Sequence, residues 1–170
     1  MRSSQQQNAC VKITSKGSEE IPTLFSRQEE ADGRLLLHAA NAGKEGYSSV
    51  VICSEDTDVF IMSVAFAGEI AASLFIKRTT RSRTELIDVN RVVDAFGQDV
   101  CKALIGVHAF TGCDSVSAFA GKRKSQALKL VTTDKEISET FISVVEEWSL
   151  SPDLSNKLEA STCRLYAPRQ

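Results

Sequence analysis

At 170 residues, 42% of them apolar, the chain is sized for one domain and carries enough apolar side chains to bury a core. A formal charge of −2 and an aromatic share of 6% exclude a nucleic-acid coat protein, a polybasic membrane binder and an acidic tail, so any contact with nucleic acid has to be local. Five scattered cysteines without a CxxC pair or a secretory leader predict reduced thiols in an intracellular protein, and no apolar run reaches the roughly 20 residues of a membrane span.

In chain order, residues 1–27 are polar, with a strand-like stretch at Val11 to Thr14 and an apolar patch at Leu24 and Phe25, and read as a loosely held leader. From Gln28, the segment EEADGRLLLHAANAG sets Ala31, Leu35, Ala39 and Ala42 at helical spacing, with Gly43 as the stop. SSVVICSEDTD then runs from a β-branched core, Val50 to Ile52, into an acidic turn, the pattern of a buried parallel strand delivering side chains to a functional edge. VFIMSVAFAG reads as a helix, SLFIKRT and TELIDV as strands, and NRVVDAFGQDVCKALIGVHAF as a helix pair broken at Gly97. Beyond Gly112 a tight turn feeds a helix through SQALKLV, and ISETFISVVEEW places Ile137, Phe141, Val144, Val145 and Trp148 on one stripe. SPDLSNKLEASTCRLY closes the chain as a helix with Ser151 as N-cap and Pro152 at its first position. This alternation predicts an α/β core over residues 28–112 and a helical part over 113–170.

Acidic residues gather at three element ends: Glu29, Glu30 and Asp32; Glu55, Asp56 and Asp58; and Asp114. Carboxylates so placed suit hard, oxygen-preferring cations such as Mg²⁺ or Mn²⁺, two of which can activate a water and stabilise the leaving oxygen in phosphodiester cleavage. In extended backbone Asp56 and Asp58 point to one side. The plain alternative is that the acids favour helix N-termini and decorate loops. Two basic runs accompany them. Gly121, Lys122, Arg123 and Lys124 form a glycine turn ahead of a helix, able to approach a phosphate or to serve as a solvated turn. Lys77, Arg78, Arg81 and Arg83 lie between two predicted strands, where they could contact a nucleic-acid backbone or keep a sheet edge soluble.

The order EEADGRLLLHA, SEDTDVF, FTGCDS and FAGKRKSQALKLV resembles the flap-endonuclease branch of the PIN-like nucleases, from Glu29 to about Val131. The same segments resemble those of animal proteins carrying EEADTRLLLHA-like and HAFTGCDSVSAF-like stretches. The resemblance implies a Rossmann-like, mostly parallel sheet flanked by helices, with a helix-hairpin-helix-like turn in the C-terminal part. It implies metal ligation of Mg²⁺ or Mn²⁺ by Glu30, Asp32, Asp56, Asp58 and Asp114, catalysis centred on Asp56, Asp58 and Asp114, and nucleic acid as partner, DNA ahead of RNA. Family members also begin with a strand ending in a metal-binding aspartate. Here the first aspartate is Asp32, so the resemblance implies a domain lacking its N-terminal part and an incomplete or inactive site.

Other chemistries fare worse. Asp56-Thr57-Asp58 after a strand would suit an aspartyl phosphatase nucleophile, but Val59 and Phe60 follow where that motif needs a small residue and threonine. Cys113 with His108, or with Cys101, lacks the companions of a thiol nucleophile or zinc site. There is no GxSxG, P-loop or GxGxxG. The serious alternative to a nuclease is a non-catalytic nucleic-acid or protein interaction module. Neither KRTTRSR nor GKRK makes a nuclear signal, so a nuclear location is left open.

Overall fold

The computed structural model describes residues 9–26, 31–113, 116–147 and 149–167. Packing divides the chain into two compact units, residues 1–90 and 91–170. Their common boundary precedes the one expected at residue 112, so the helix pair around Gly97 belongs mainly with the C-terminal unit.

The first unit opens on an antiparallel hairpin, β1 (Val11–Thr14) and β2 (Gly17–Glu20), inside the stretch expected to be a loose leader. Only β1 was legible, because GSEE carries no strand pattern. It is paired through its backbone, while Thr14 Oγ1 donates to the Gly17 carbonyl and closes the turn. Every hairpin residue is exposed, and Leu24 in the short 3-10 turn that follows is buried.

Helix α1 (Ala31–Lys44) follows. Its buried face carries Leu36 and Ala39, whereas Leu35 is exposed, so the apolar stripe expected at Ala31, Leu35, Ala39 and Ala42 is rotated by about one residue. The helix also runs through Gly43 instead of stopping there. A Cβ at that position would lie 3.1 Å from the Ala71 nitrogen and 3.2 Å from that of Ala72, so this glycine serves close packing rather than termination.

Next come β3 (Ser49–Cys53), α2 (Thr57–Phe66), β4 (Ser73–Thr79) and β5 (Thr84–Asp88). The sheet has the order β3-β4-β5, with β3 parallel and β5 antiparallel to β4. The mostly parallel sheet expected from sequence is therefore a small mixed one. The reason is connection length: α2 supplies the crossover a parallel pair needs, whereas β4 and β5 are joined by so few residues that only a hairpin can form. Thr80 N–H donates to the Arg83 carbonyl at 2.8 Å across that turn. One sheet face is packed, with Ile52, Leu74 and Ile76 buried, and the other leaves Val51 and Leu86 exposed.

Helix α3 (Val89–Phe96) crosses the division between the units, and Asn90 at its start accepts from the Leu74 N–H. The second unit is otherwise helical: α4 (Gln98–Phe110), α5 (Lys124–Thr133), α6 (Lys135–Glu146) and α7 (Pro152–Tyr166). Gly97 separates α3 from α4, and Ser151 caps α7 by accepting from the Leu154 N–H, both as expected. Asp134 caps α6 through the Ile137 N–H while its other oxygen pairs with Arg164 on α7. The core gathers Ala103, Val107, Ala127, Val131, Ile137, Phe141 and Leu165. Of the stripe expected on α6, Ile137 and Phe141 are buried and Val145 is exposed; Trp148 lies outside the described residues. The chain is thus α/β, rich in helix, with a small mixed sheet. No described helix is long and apolar enough to cross a membrane.

Candidate functional site

Within the first unit, the β3–α2 junction sets the acids. After Cys53 the chain leaves the sheet, Ser54 Oγ accepts from the Asp56 N–H at 3.1 Å, and Asp56 becomes the N-cap of α2. Its carboxylate accepts from the Asp58 N–H at 2.9 Å, so part of its hydrogen-bonding capacity is spent in starting the helix. This alters the picture of two acids alternating along extended backbone. Asp58 lies in the first helical turn, where the positive end of the helix favours its charge.

Asp32, in the first turn of α1, is brought to the same region. Its carboxyl is held above the ordinary value of 3.8 by partial burial and by the negative charges of Asp56 and Asp58. Residues 24 and 26 positions apart in the sequence therefore act on one another through space. Neighbouring carboxylates that repel in this way supply hard oxygen donors, and a divalent cation between them would relieve the repulsion. That donor chemistry fits Mg²⁺ or Mn²⁺. Among the described residues, however, no group of three or more His, Cys, Asp or Glu side chains is arranged to hold a metal ion. Glu30 and Asp114, the remaining expected ligands, lie outside the described residues.

The first basic run divides. Arg78 turns to the acidic junction, its Nη2 donating to the Glu55 carbonyl at 3.4 Å. Lys77 sits opposite Cys53 in the sheet register and is exposed. Arg83 pairs with Glu85 at 2.9 Å, and Arg81 projects from the β4–β5 turn. Lys77 and Arg78 thus mark the strand end next to the acids, and Arg81 and Arg83 the hairpin.

The second run lies in the other unit. Gly121 has φ +68°, a left-handed conformation that a side chain would strain, and the turn it makes leads into α5. Arg123 occupies the N-cap position in extended backbone, φ −99°, which any residue can adopt. Its N–H is met by Gln126 Oε1 at 3.0 Å, the reach-back of a capping box. Lys122 Nζ sits 4.7 Å from the centre of the Tyr166 ring, and Tyr166 Oη donates to the Ala120 carbonyl at 3.0 Å. Lys124 Nζ donates to His108 Nδ1 at 2.9 Å, which requires that nitrogen to be unprotonated. The stretch from Val116 to Arg123 is not helical; a bridge between Cys113 and Val116 precedes the turn.

Sequence reasoning missed Tyr166, His108 and Gln126 as supports of this turn. Only Gln126, three residues after the N-cap, carried a readable local signal; Tyr166 reaches Ala120 across 46 positions. Cys101, which with Cys113 would make part of a zinc site, is fully buried, and burial raises its pKa, which makes it a packing residue.

A groove of about 570 Å³ in the first unit, lined by Phe25, Leu36, Met62, Phe66 and Ile70 among others, contains none of the candidate acids. The chain matches no protein-family model, no curated protein and no solved structure.

Proposed function

We propose that the chain carries the metal-binding edge of a PIN-like nuclease domain of the flap-endonuclease type, serving divalent-metal-dependent cleavage of nucleic-acid phosphodiesters, DNA ahead of RNA. What supports this reading is that Asp32, whose pKa is raised first by burial and then by the charges of Asp56 and Asp58, shares with them the C-terminal end of a parallel strand, the place where open α/β sheets present their sites. Glu30 and Asp114 complete the ligand set in this reading. Mg²⁺ or Mn²⁺, when bound, would polarise the scissile phosphate and lower the pKa of an attacking water. Arg78 and Lys77 would hold the nucleic-acid backbone beside the acids, with the Gly121 to Lys124 turn as a second phosphate contact.

A specific observation favours a second reading, a non-catalytic nucleic-acid or protein interaction module that keeps the arrangement without the reaction. Asp56 already accepts from the backbone as a helix cap, and β3, which delivers the acids, is an edge strand among the described residues. The test is Mn²⁺- or Mg²⁺-dependent cleavage of end-labelled flap and single-stranded DNA by the purified chain, compared with Asp56→Asn. Asparagine caps helices as well as aspartate does, so the variant keeps its fold and loses a charged ligand. Cleavage by the parent and none by the variant is the outcome expected of the enzyme. Binding without cleavage assigns the module, and neither binding nor cleavage discards both readings.

A further inference from the structure

In the second unit a groove of about 420 Å³ lies where the first turn of α4 meets α6 and the end of α5, and Asp99, Val100, Val131, Lys135 and Ser138 are among the residues lining it. Its size falls within the range of small-molecule sites. The N-cap of α4 is Gly97, which has no side chain to cap with, and the Cys101 N–H donates to the Gly97 carbonyl at 3.1 Å. The N–H groups of the turn before Cys101, those of Asp99 and Val100 among them, have no carbonyl to meet within the helix. A Cβ added at Gly97 would meet nothing within 4 Å, so the space beside this helix end is open.

A helix end of this kind is ordinary, and Ser138 on α6 is what singles it out. Ser138 lines the same groove, is only 5% exposed, and its hydroxyl has no hydrogen-bond partner among the described residues. Other helical hydroxyls of this unit turn back on their own backbone. Thr140 donates to the Glu136 carbonyl and Ser161 to that of Lys157, both at 2.8 Å. Thr132 and Thr133, on the wall of the groove, both donate to the Lys129 carbonyl. Ser138 therefore keeps a hydrogen to give. A buried hydroxyl without a partner is costly, and one on the wall of a groove calls for an acceptor from outside the chain.

We propose that this groove binds a small carboxylate carrying an apolar body. The carboxylate accepts from the first-turn N–H groups of α4 and from the Ser138 hydroxyl, and the Lys135 ammonium supplies the opposite charge. Lys135 is paired with Glu139 at 3.5 Å on the surface, and an exposed pair of that kind is too weak to hold the lysine away from a bound anion. Charge balance selects a carboxylate over a phosphate. A helix N-terminus acts as roughly half a positive charge and Lys135 adds one, but Asp99 in the same turn takes one away, so a single negative charge is matched and a double one is not. Phe96, Val100 and Val131 supply the apolar wall for the rest of the molecule.

Benzoate titrated into the full ¹⁵N-labelled chain should shift the Asp99 and Val100 amide resonances saturably, with a dissociation constant of roughly a millimolar or below. Benzyl alcohol, of the same shape without the charge, and inorganic phosphate should each bind at least about tenfold more weakly. Ser138→Ala removes an unpartnered hydroxyl, so it should fold as the parent does and bind benzoate about tenfold more weakly. Asp99→Asn should bind benzoate a few-fold more tightly, because a like charge has left the turn; a merely structural role for this end of α4 predicts no such gain. Amide shifts that do not saturate, benzyl alcohol binding as well as benzoate, phosphate binding more tightly than benzoate, or Ser138→Ala binding like the parent would each overturn the proposal. Should Ser138→Ala fail to fold, the exposed Asp99→Asn decides, and unchanged or weaker benzoate binding by that variant refutes the site.

Discussion

The two units solve the same packing problem differently. In the helical unit α4, α5, α6 and α7 enclose one core, and Phe110 stacks edge-on against Phe141 with ring centres 5.3 Å apart and tilts against Phe119 at 5.0 Å. In the sheet-bearing unit one sheet face is packed, but the hairpin β1–β2 and Val51 and Leu86 on the outer face are exposed, and among the described residues no named strand pairs with the outer edge of β3. The lesson is a division of labour. The unit with the closed core holds a pinned basic turn, and the unit with open edges holds the interacting carboxylates.

The strongest test of that contrast is Phe141→Ala. Removing a 3%-exposed ring from the helical core should cost about 3–5 kcal/mol, measured by chemical denaturation. Native-state hydrogen exchange should accelerate through α4 to α7 and leave β4 nearly unchanged; equal loss of protection in β4 would show that the two units melt as one and would erase the distinction. A smaller loss is expected from Gly106→Ala. The added Cβ would sit 2.5 Å from the Phe141 carbonyl oxygen, where α4 and α6 approach backbone to backbone, and should cost about 1–3 kcal/mol of stability. An unchanged denaturation midpoint would mean that the crossing is looser than described.

The smallest effect concerns the open unit. Because the pKa of Asp32 is raised in the folded chain, the stability linked to its protonation is fully present below 3.8 and is lost as pH rises through the raised folded value. Asp32→Asn should therefore melt slightly higher than the parent at neutral pH, by less than about 3 °C, with the gap closing as pH falls towards 3.8. Mg²⁺ or Mn²⁺ should raise the melting temperature of the parent more than that of the variant, since the variant has lost one of the repelling charges. A gap independent of pH would show that Asp32 does not feel Asp56 and Asp58.

Much of the secondary structure was legible because it rests on local causes. Period-two apolar residues and turn residues marked SLFIKRT and TELID, Gly97 marked the helix break, and Ser151-Pro152 the start of α7. Strand β2 was not legible, because GSEE is held by its partner and not by its own propensity. Gly43 misled for a related reason. A glycine that ends a helix and one that admits a neighbouring backbone look identical in sequence, and only the nearness of Ala71 and Ala72 tells them apart.

For the candidate site, the sequence by itself determined which residues could do chemistry: acids at element ends, a glycine turn followed by cations, and their order along the chain. Tertiary structure alone decided which of them meet. Asp32 is coupled to Asp56 and Asp58 because α1 and the β3–α2 junction pack within one unit, and Lys122 and Lys124 are held by Tyr166 and His108 because distant helices carry those partners to the turn. Such meetings depend on contacts between residues far apart in the chain, and no local pattern of charge or hydrophobicity encodes them.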